Sequence, residues 1–250
     1  MSLPLINALL RHIEALDAQG LRRRRRTVAT PCAPWVEVDL DRFAANLQAI
    51  RRHAGPGREV LVVVKADAYG HGAADMAAAA EREGVTQLGV ATLLEGMQLR
   101  RAGCRLPIMA MSPLLAGEIP EAVEHGIDPT VCDLDFCRAL SDEATHRGRP
   151  VRFHIEVDTG MGRSGVHLHE AGAFIAEVSA LAGLRLASVY THFPDADGAE
   201  LSFAHEQTRR FAALVERLEA SGLKPPRVHA ANSAGTVNLP EARFDWVRVG

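Results

Sequence analysis

The chain has 250 residues, 47% of them hydrophobic, and a formal net charge of −3. That length supplies the core of one complete α/β barrel or of two smaller domains. The near-neutral balance argues against a nucleic-acid-binding or membrane-surface protein, and no run of about 18 apolar residues is present to span a bilayer. Four cysteines, Cys32, Cys104, Cys132 and Cys137, form no CxxC pair and no zinc-finger spacing with histidine, which reads as reduced thiols in a cytoplasmic protein.

Residues 1–30 stand apart as an N-terminal extension. Leu5, Ile6, Leu9, Leu10, Ile13 and Leu16 fall at helical spacing and predict one amphipathic helix. Five arginines follow, Arg22 to Arg26. Charge after the apolar stretch reverses the order of a secretory signal, and an isolated run of that length reads as a solvated linker. Residues 31–250 then form the main unit. In 35–40, Trp35, Glu37 and Asp39 alternate with Val36, Val38 and Leu40, predicting a strand with one buried face that lies outside the main sheet. A helix around Phe43, Leu47 and Ile50 comes next.

From there short apolar strands alternate with amphipathic helices. Strands are predicted at 60–64, 88–91, 107–111, 129–132, 151–157, 186–191, 227–230 and 244–249, with helices at 77–83, 94–101, 119–125, 135–146, 170–181 and 204–220. That rhythm implies parallel βαβ units, and eight strands favour a (β/α)8 barrel of TIM type over an open sheet. The chemistry of such a barrel sits where strands end and the following loops begin.

The strand at 60–64 runs into Lys65-Ala-Asp-Ala-Tyr69-Gly-His-Gly. Desolvating an ammonium at the mouth of a buried strand lowers its pKa, which suits a Schiff-base or general-base lysine. Taken alone, a lysine reaching solvent from a strand end is the commoner case. The whole stretch, VVVKADAYGHG, resembles the pyridoxal-phosphate lysine signature of the alanine racemase family, AVVKANAYGHG in its common form. Four further segments are similar to that family in the same order. They are Glu156-Val-Asp-Thr-Gly-Met-Gly-Arg163-Ser-Gly after the fifth strand, Tyr190-Thr-His192-Phe after the sixth, His229-Ala-Ala-Asn232-Ser233-Ala-Gly after the seventh, and Arg248-Val-Gly250 at the eighth. The resemblance runs from about Pro34 to the last residue.

It implies a pyridoxal-phosphate enzyme of fold type III that interconverts L- and D-alanine and supplies D-alanine for peptidoglycan. Lys65 would carry the cofactor and then serve as one of two acid/base groups at Cα. Tyr69, Ser233 and the backbone N–H of Gly250 would hold the phosphate. Arg248 would face the pyridine nitrogen, which it leaves unprotonated, so the ring withdraws electrons less strongly than one paired with aspartate. His192 would orient Arg248 and link it to the second base, Asn232 would lie near the ring, and Arg163 would meet the phenolic oxygen and the substrate carboxylate. Each residue also has a plain structural reading: Arg248 paired with a rim carboxylate, His192 a hydrogen-bonded core ring, Asn232 a left-handed turn residue, Ser233 a helix cap. No metal site and no nucleic-acid or membrane partner is expected, and a homodimer is expected of the full-length family.

Two departures matter. Glu156 stands where many family members have a lysine whose carbamate holds the arginine; the glutamate is shorter by roughly 3–4 Å and is expected to replace it. The family's second base is a tyrosine from a C-terminal β-domain of the partner subunit, whereas the two tyrosines of this sequence, Tyr69 and Tyr190, both lie in the barrel segment. A piece of a longer protein is therefore favoured over a barrel-only descendant, and poor racemisation is expected of these residues alone. Three other readings stay open. A broader amino-acid racemase is one. A non-catalytic pyridoxal-phosphate homeostasis protein is another, although it would have no use for Arg163. The third is a D-threonine-aldolase-like lyase, which would want a metal site.

Overall fold

The structure, a computed structural model, describes residues 37–250. The helix predicted within residues 1–30, the arginine run, Cys32 and the first two residues of the predicted strand 35–40 lie outside that range. The rest of that strand is corrected: Glu37, Val38 and Asp39 form no strand, and Leu40 already opens helix α1 (Leu40–Ala54). The reason is local. The Asp39 carboxylate accepts the Arg42 N–H at 3.0 Å, satisfying a helix-end donor that an extended strand would not present.

After α1 come β1 (Glu59–Val63), α2 (Ala73–Arg82), β2 (Gln87–Val90), α3 (Leu93–Arg101), β3 (Ile108–Pro113), α4 (Ile119–His125), β4 (Ile127–Val131), α5 (Leu134–His146) and β5 (Val151–Asp158). They are followed by β6 (Val166–His167), α6 (Ala171–Ser179), β7 (Leu184–Tyr190), α7 (Ser202–Ala220), β8 (Val228–His229), α8 (Ser233–Asn238) and β9 (Trp246–Val249). Every pairing is parallel. β1-β2-β3-β4-β5-β7-β8-β9 close on β1 as an eight-stranded barrel, and the two-residue β6 pairs only with the end of β5. All eight predicted barrel strands are present, with limits that shift by at most two residues.

β1 explains why its sequence shows no alternation. Val60 and Val62 pack outward against the helices, while Leu61 and Val63 pack inward with Met109, Tyr190 and Trp246, so both faces are buried. Gly89 in β2 leaves the room this needs, since a Cβ there would stand 2.9 Å from Leu61 Cδ2. The rest of the interior is polar. His154 and Glu156 from β5, Ser188 from β7, His229 from β8 and Arg248 from β9 are all buried inside the barrel.

Candidate functional site

Lys65 follows the end of β1, where the Val64 N–H bonds the Gly89 carbonyl of β2 at 2.8 Å. Its side chain is half-buried. The next four residues, none of them glycine, are left-handed: φ is 51° at Ala66, 53° at Asp67, 53° at Ala68 and 56° at Tyr69. Left-handed backbone costs L-residues about 1–2 kcal/mol each, so something must hold this turn. Glu95, at the start of α3, does so. Its Oε1 accepts the Ala66 N–H at 2.7 Å, and its Oε2 accepts those of Ala91 at 2.7 Å and Thr92 at 3.2 Å. Asp67 Oδ1 accepts the Ala73 N–H at 2.7 Å and closes the turn onto α2. The Thr92-x-x-Glu95 capping box is legible in the sequence; the reach of Glu95 to the residue after Lys65 is not.

Tyr69, Ser233 and Gly250 meet in one corner. Ser233 Oγ accepts the Gly250 N–H at 3.3 Å and lies 3.3 Å from the Gly250 carbonyl. A Cβ on Gly250 would stand 2.8 Å from the Tyr69 hydroxyl, from Tyr69 Cε2 and from the Val63 carbonyl, so no side chain fits there. The helix cap is Asn232 rather than Ser233: its Oδ1 accepts the Gly235 N–H at 2.8 Å, and its φ of −79° makes it no left-handed turn residue. That bond turns the Asn232 oxygen toward α8.

Arg248 is almost completely buried and is bonded to rings and carbonyls rather than to a carboxylate. Nη1 donates to His229 Nδ1 at 2.7 Å; Nη2 donates to the Thr191 carbonyl at 2.9 Å, the Ala230 carbonyl at 3.0 Å and His192 Nδ1 at 3.3 Å. The guanidinium also lies 5.1 Å from the centre of the Tyr190 ring. Burial pulls its pKa down to about 10, which still leaves it charged at neutral pH. His192 is pulled down to about 3, first by burial and then by the charges of Arg248, Arg163 and Lys65, which places all four groups within one field. The His192 ring is therefore neutral. With Nδ1 accepting from Arg248, its proton lies on Nε2. The Gln207 amide from α7 bonds the His192 carbonyl at 3.3 Å and fixes its backbone.

Glu156 reaches Arg163 without an intermediary. Its buried carboxylate lies 3.6 Å from Arg163 Nη2 through Oε1 and accepts the Ser164 hydroxyl at 2.7 Å through Oε2. The loop folds back far enough for this because residue 165 is glycine. Its φ is 109°, and a Cβ would stand 2.9 Å from the Asp158 nitrogen and 3.1 Å from the Glu156 carbonyl.

Thus Lys65, Tyr69, Arg163, His192, Ser233, Arg248 and Gly250 share the end of the barrel where the strands finish, while Asn232 caps a helix beside it. The reading of the sequence gave no role to Glu95, Gln207, His154, Ser188 or His229. For two of these, His154 and Ser188, the strand pattern held a signal. His154 and Glu156 alternate with Phe153, Ile155 and Val157, and Ser188 and Tyr190 with Ala187 and Val189, the period of a strand whose inner face is polar.

Comparison with known proteins gives a consistent result. The sequence profile of the family described as "Alanine racemase, N-terminal domain" matches residues 38–250. The alanine racemase of Desulforamulus reducens is 40% identical over 217 residues, which cover 86% of this chain and 59% of that protein. The alanine racemase of a Nostoc species is 38% identical, with 86% of this chain and 57% of that protein covered. Among solved structures, alanine racemase of Clostridium difficile 630 in complex with cycloserine superposes with a TM-score of 0.80 at 30% identity, over 84% of this chain and 57% of that one. The enzyme from D-cycloserine-producing Streptomyces lavendulae gives 0.78 at 35% identity, over 85% and 56%. This chain spans less than three-fifths of the length of each of these relatives.

Proposed function

Because the chain belongs to the alanine racemase family, we propose that its barrel holds pyridoxal phosphate on Lys65 and moves the α-proton of an amino acid, alanine first among them. The observation that carries this is the convergence of Lys65 with two distinct polar sets. The corner of Tyr69, Ser233 and Gly250 offers hydroxyls and a main-chain N–H where no side chain fits, which suits a phosphate dianion. Arg248 offers a donor whose proton does not leave, which suits an unprotonated ring nitrogen. Bound there, pyridoxal phosphate would withdraw electrons from Cα of the amino acid joined to it.

The chain's own residues do the rest. Lys65 would take or return the proton at Cα on its own face. Arg163 binds the substrate carboxylate with its planar fork, and Glu156 holds that fork in place as the carbamylated lysine does elsewhere in the family. His192 stays neutral and steadies Arg248. Tyr190 is no candidate for the base on the opposite face: burial pushes its hydroxyl far above its ordinary range, and its oxygen lies 3.2 Å from both Thr130 Oγ1 and the Met111 carbonyl. Tyr69 is committed to the Gly250 corner. The second base would come from outside the described barrel, as the family's homodimer supplies it. On this reading residues 31–250 are one cofactor-binding domain, and a cytoplasmic source of D-alanine for peptidoglycan is its role. No helix among the described residues is long and apolar enough to cross a membrane.

Two measurements test the proposal. With pyridoxal phosphate in heavy water, the chain is expected to exchange the α-proton of one enantiomer of alanine faster than that of the other, and Lys65→Ala to exchange neither. Equal exchange from both would mean that another group replaces the tyrosine; exchange surviving Lys65→Ala would remove Lys65 from the chemistry. Glu156→Gln removes the charge that faces Arg163. It is expected to lower the exchange rate at low alanine concentration about threefold to fivefold, the worth of an ion pair with one exposed partner. An unchanged rate and cofactor spectrum would show that Glu156 does not hold the arginine for substrate.

A further inference from the structure

Behind Arg248 a line of buried side chains crosses the barrel interior. His229 Nδ1 meets Arg248 at 2.7 Å, and His229 Nε2 lies 2.8 Å from Ser188 Oγ. The same Oγ lies 2.7 Å from His154 Nδ1, and His154 Nε2 faces Asp128 Oδ2 at 3.8 Å. Asp128 is the second residue of β4, so the line ends near the barrel's opposite mouth. There the half-exposed Arg152 places its Nε 3.5 Å from the same carboxylate oxygen.

The chemistry of the groups fixes the direction of every bond. Arginine only donates, so His229 Nδ1 accepts and the proton of the neutral ring lies on Nε2. Ser188 Oγ accepts that proton's bond and has one hydrogen of its own, which goes to His154 Nδ1. The His154 proton is then on Nε2, facing the Asp128 carboxylate at 3.8 Å, an electrostatic contact longer than a hydrogen bond, and neither of these two buried atoms has a hydrogen-bond partner among the described residues. A cation at one end and an anion at the other agree with the same polarity throughout. Burial holds both rings below the ordinary histidine range, more strongly at His229, which keeps them neutral. The His229 ring is further sandwiched, stacked on Tyr190 at 4.9 Å between centroids and tilted against Trp246 at 5.4 Å, so it cannot swing away from the line.

We propose that His229, Ser188 and His154 form a one-way hydrogen-bond relay, polarised by the facing charge of Asp128, that positions Arg248 from the far end of the barrel and sets how firmly it meets the cofactor ring nitrogen. The second half of this rests on the reading of the site as a pyridoxal-phosphate site; the relay itself does not. The four are positioning residues, since they act on the site through Arg248, which His229 alone of them contacts. A merely space-filling core would be indifferent to which nitrogen carries each proton, and to the charge on Asp128.

Side-chain nitrogen-15 NMR of the labelled chain at pH 7 distinguishes the two. His154 and His229 are expected to be neutral with the proton on Nε2 in both. Asp128→Asn keeps the shape and an acceptor oxygen but loses the charge. It is expected to move the His229 nitrogen signals although two residues lie between, and Ser188→Ala is expected to abolish that response. Ser188→Ala is also expected to weaken pyridoxal-phosphate binding about tenfold. A proton on Nδ1 of either ring, a charged ring, or His229 signals indifferent to Asp128→Asn would overturn the relay. Unchanged cofactor affinity in Ser188→Ala would overturn its action on Arg248. If the rings behave as described and the chain binds no pyridoxal phosphate at all, the relay stands and the cofactor reading fails.

Discussion

Replacing Arg248 with methionine is expected to destabilise the fold by about 2–4 kcal/mol. Four acceptors depend on its guanidinium: His229 Nδ1, His192 Nδ1 and the carbonyls of Thr191 and Ala230. All sit in the barrel's interior end, and a buried acceptor without a donor costs about 1–3 kcal/mol. Relief of the desolvation of the arginine itself offsets part of that sum, which is why the net stays well below four full penalties. Arg248→Lys is expected to recover little. A lysine keeps the charge but has a point-like ammonium in place of the fork and cannot span both the His229 side and the carbonyls. Urea unfolding of the three proteins checks this, and a methionine variant as stable as its parent would show that the polar network is not anchored on the arginine.

Mild acid is expected to unfold the chain well before its carboxylates titrate. His154, His192 and His229 all have folded pKa values below the ordinary 6.5, with burial the first cause in each and His192 reaching about 3. Below pH 6.5 the unfolded chain therefore binds protons at these rings that the folded chain refuses, at His192 down to about pH 3. Stability then rises with pH across that window and is lost as pH falls through it, by up to about 1.4 kcal/mol per pH unit for each ring. The interval from about pH 6.5 to 4.5 isolates the histidines, because unperturbed carboxylates titrate near 4. Urea midpoints at several pH values across that interval give the slope. Arg248→Met should flatten it, since the Arg248 charge is the second cause of the shift at both His192 and His229. A midpoint independent of pH over the same interval would contradict the assignment of neutral, buried rings.

The barrel was legible because its strands are short apolar runs buried on both faces and its helices carry apolar stripes, as β1 and α1 illustrate. Residues 35–40 misled because Asp39 satisfies a strand's alternation and a helix cap equally well, and only the bond to Arg42 decides. The turn after Lys65 was beyond reach for another reason. Nothing in Ala-Asp-Ala-Tyr signals left-handed backbone, and the group that makes it tolerable, Glu95, comes from 29 positions later in the chain. The residues that share the site were legible by position, since a barrel gathers its strand ends on one face. Their fine geometry was not: Glu156 reaches Arg163 through the fold-back at Gly165, which depends on a single glycine's lack of a Cβ. The buried relay lay in plain view as period-two polar positions in β5 and β7, within strands otherwise apolar enough to draw attention away from them.

The claim on which the rest depends is that Lys65 carries the cofactor, and the sequence makes it unusually clean to test. Lys65 and Lys224 are the two lysines of the chain. Lys224 is mostly exposed and pairs with Glu219 on the surface, an internal control for nonspecific reaction. The measurement is borohydride reduction of the chain mixed with pyridoxal phosphate, followed by digestion and mass analysis of the two lysine peptides. One pyridoxyl group per chain is expected, on Lys65, with loss of that label and of the visible absorption band in Lys65→Ala and Lys224 untouched. Label divided evenly between Lys65 and Lys224, or found on neither, would contradict it.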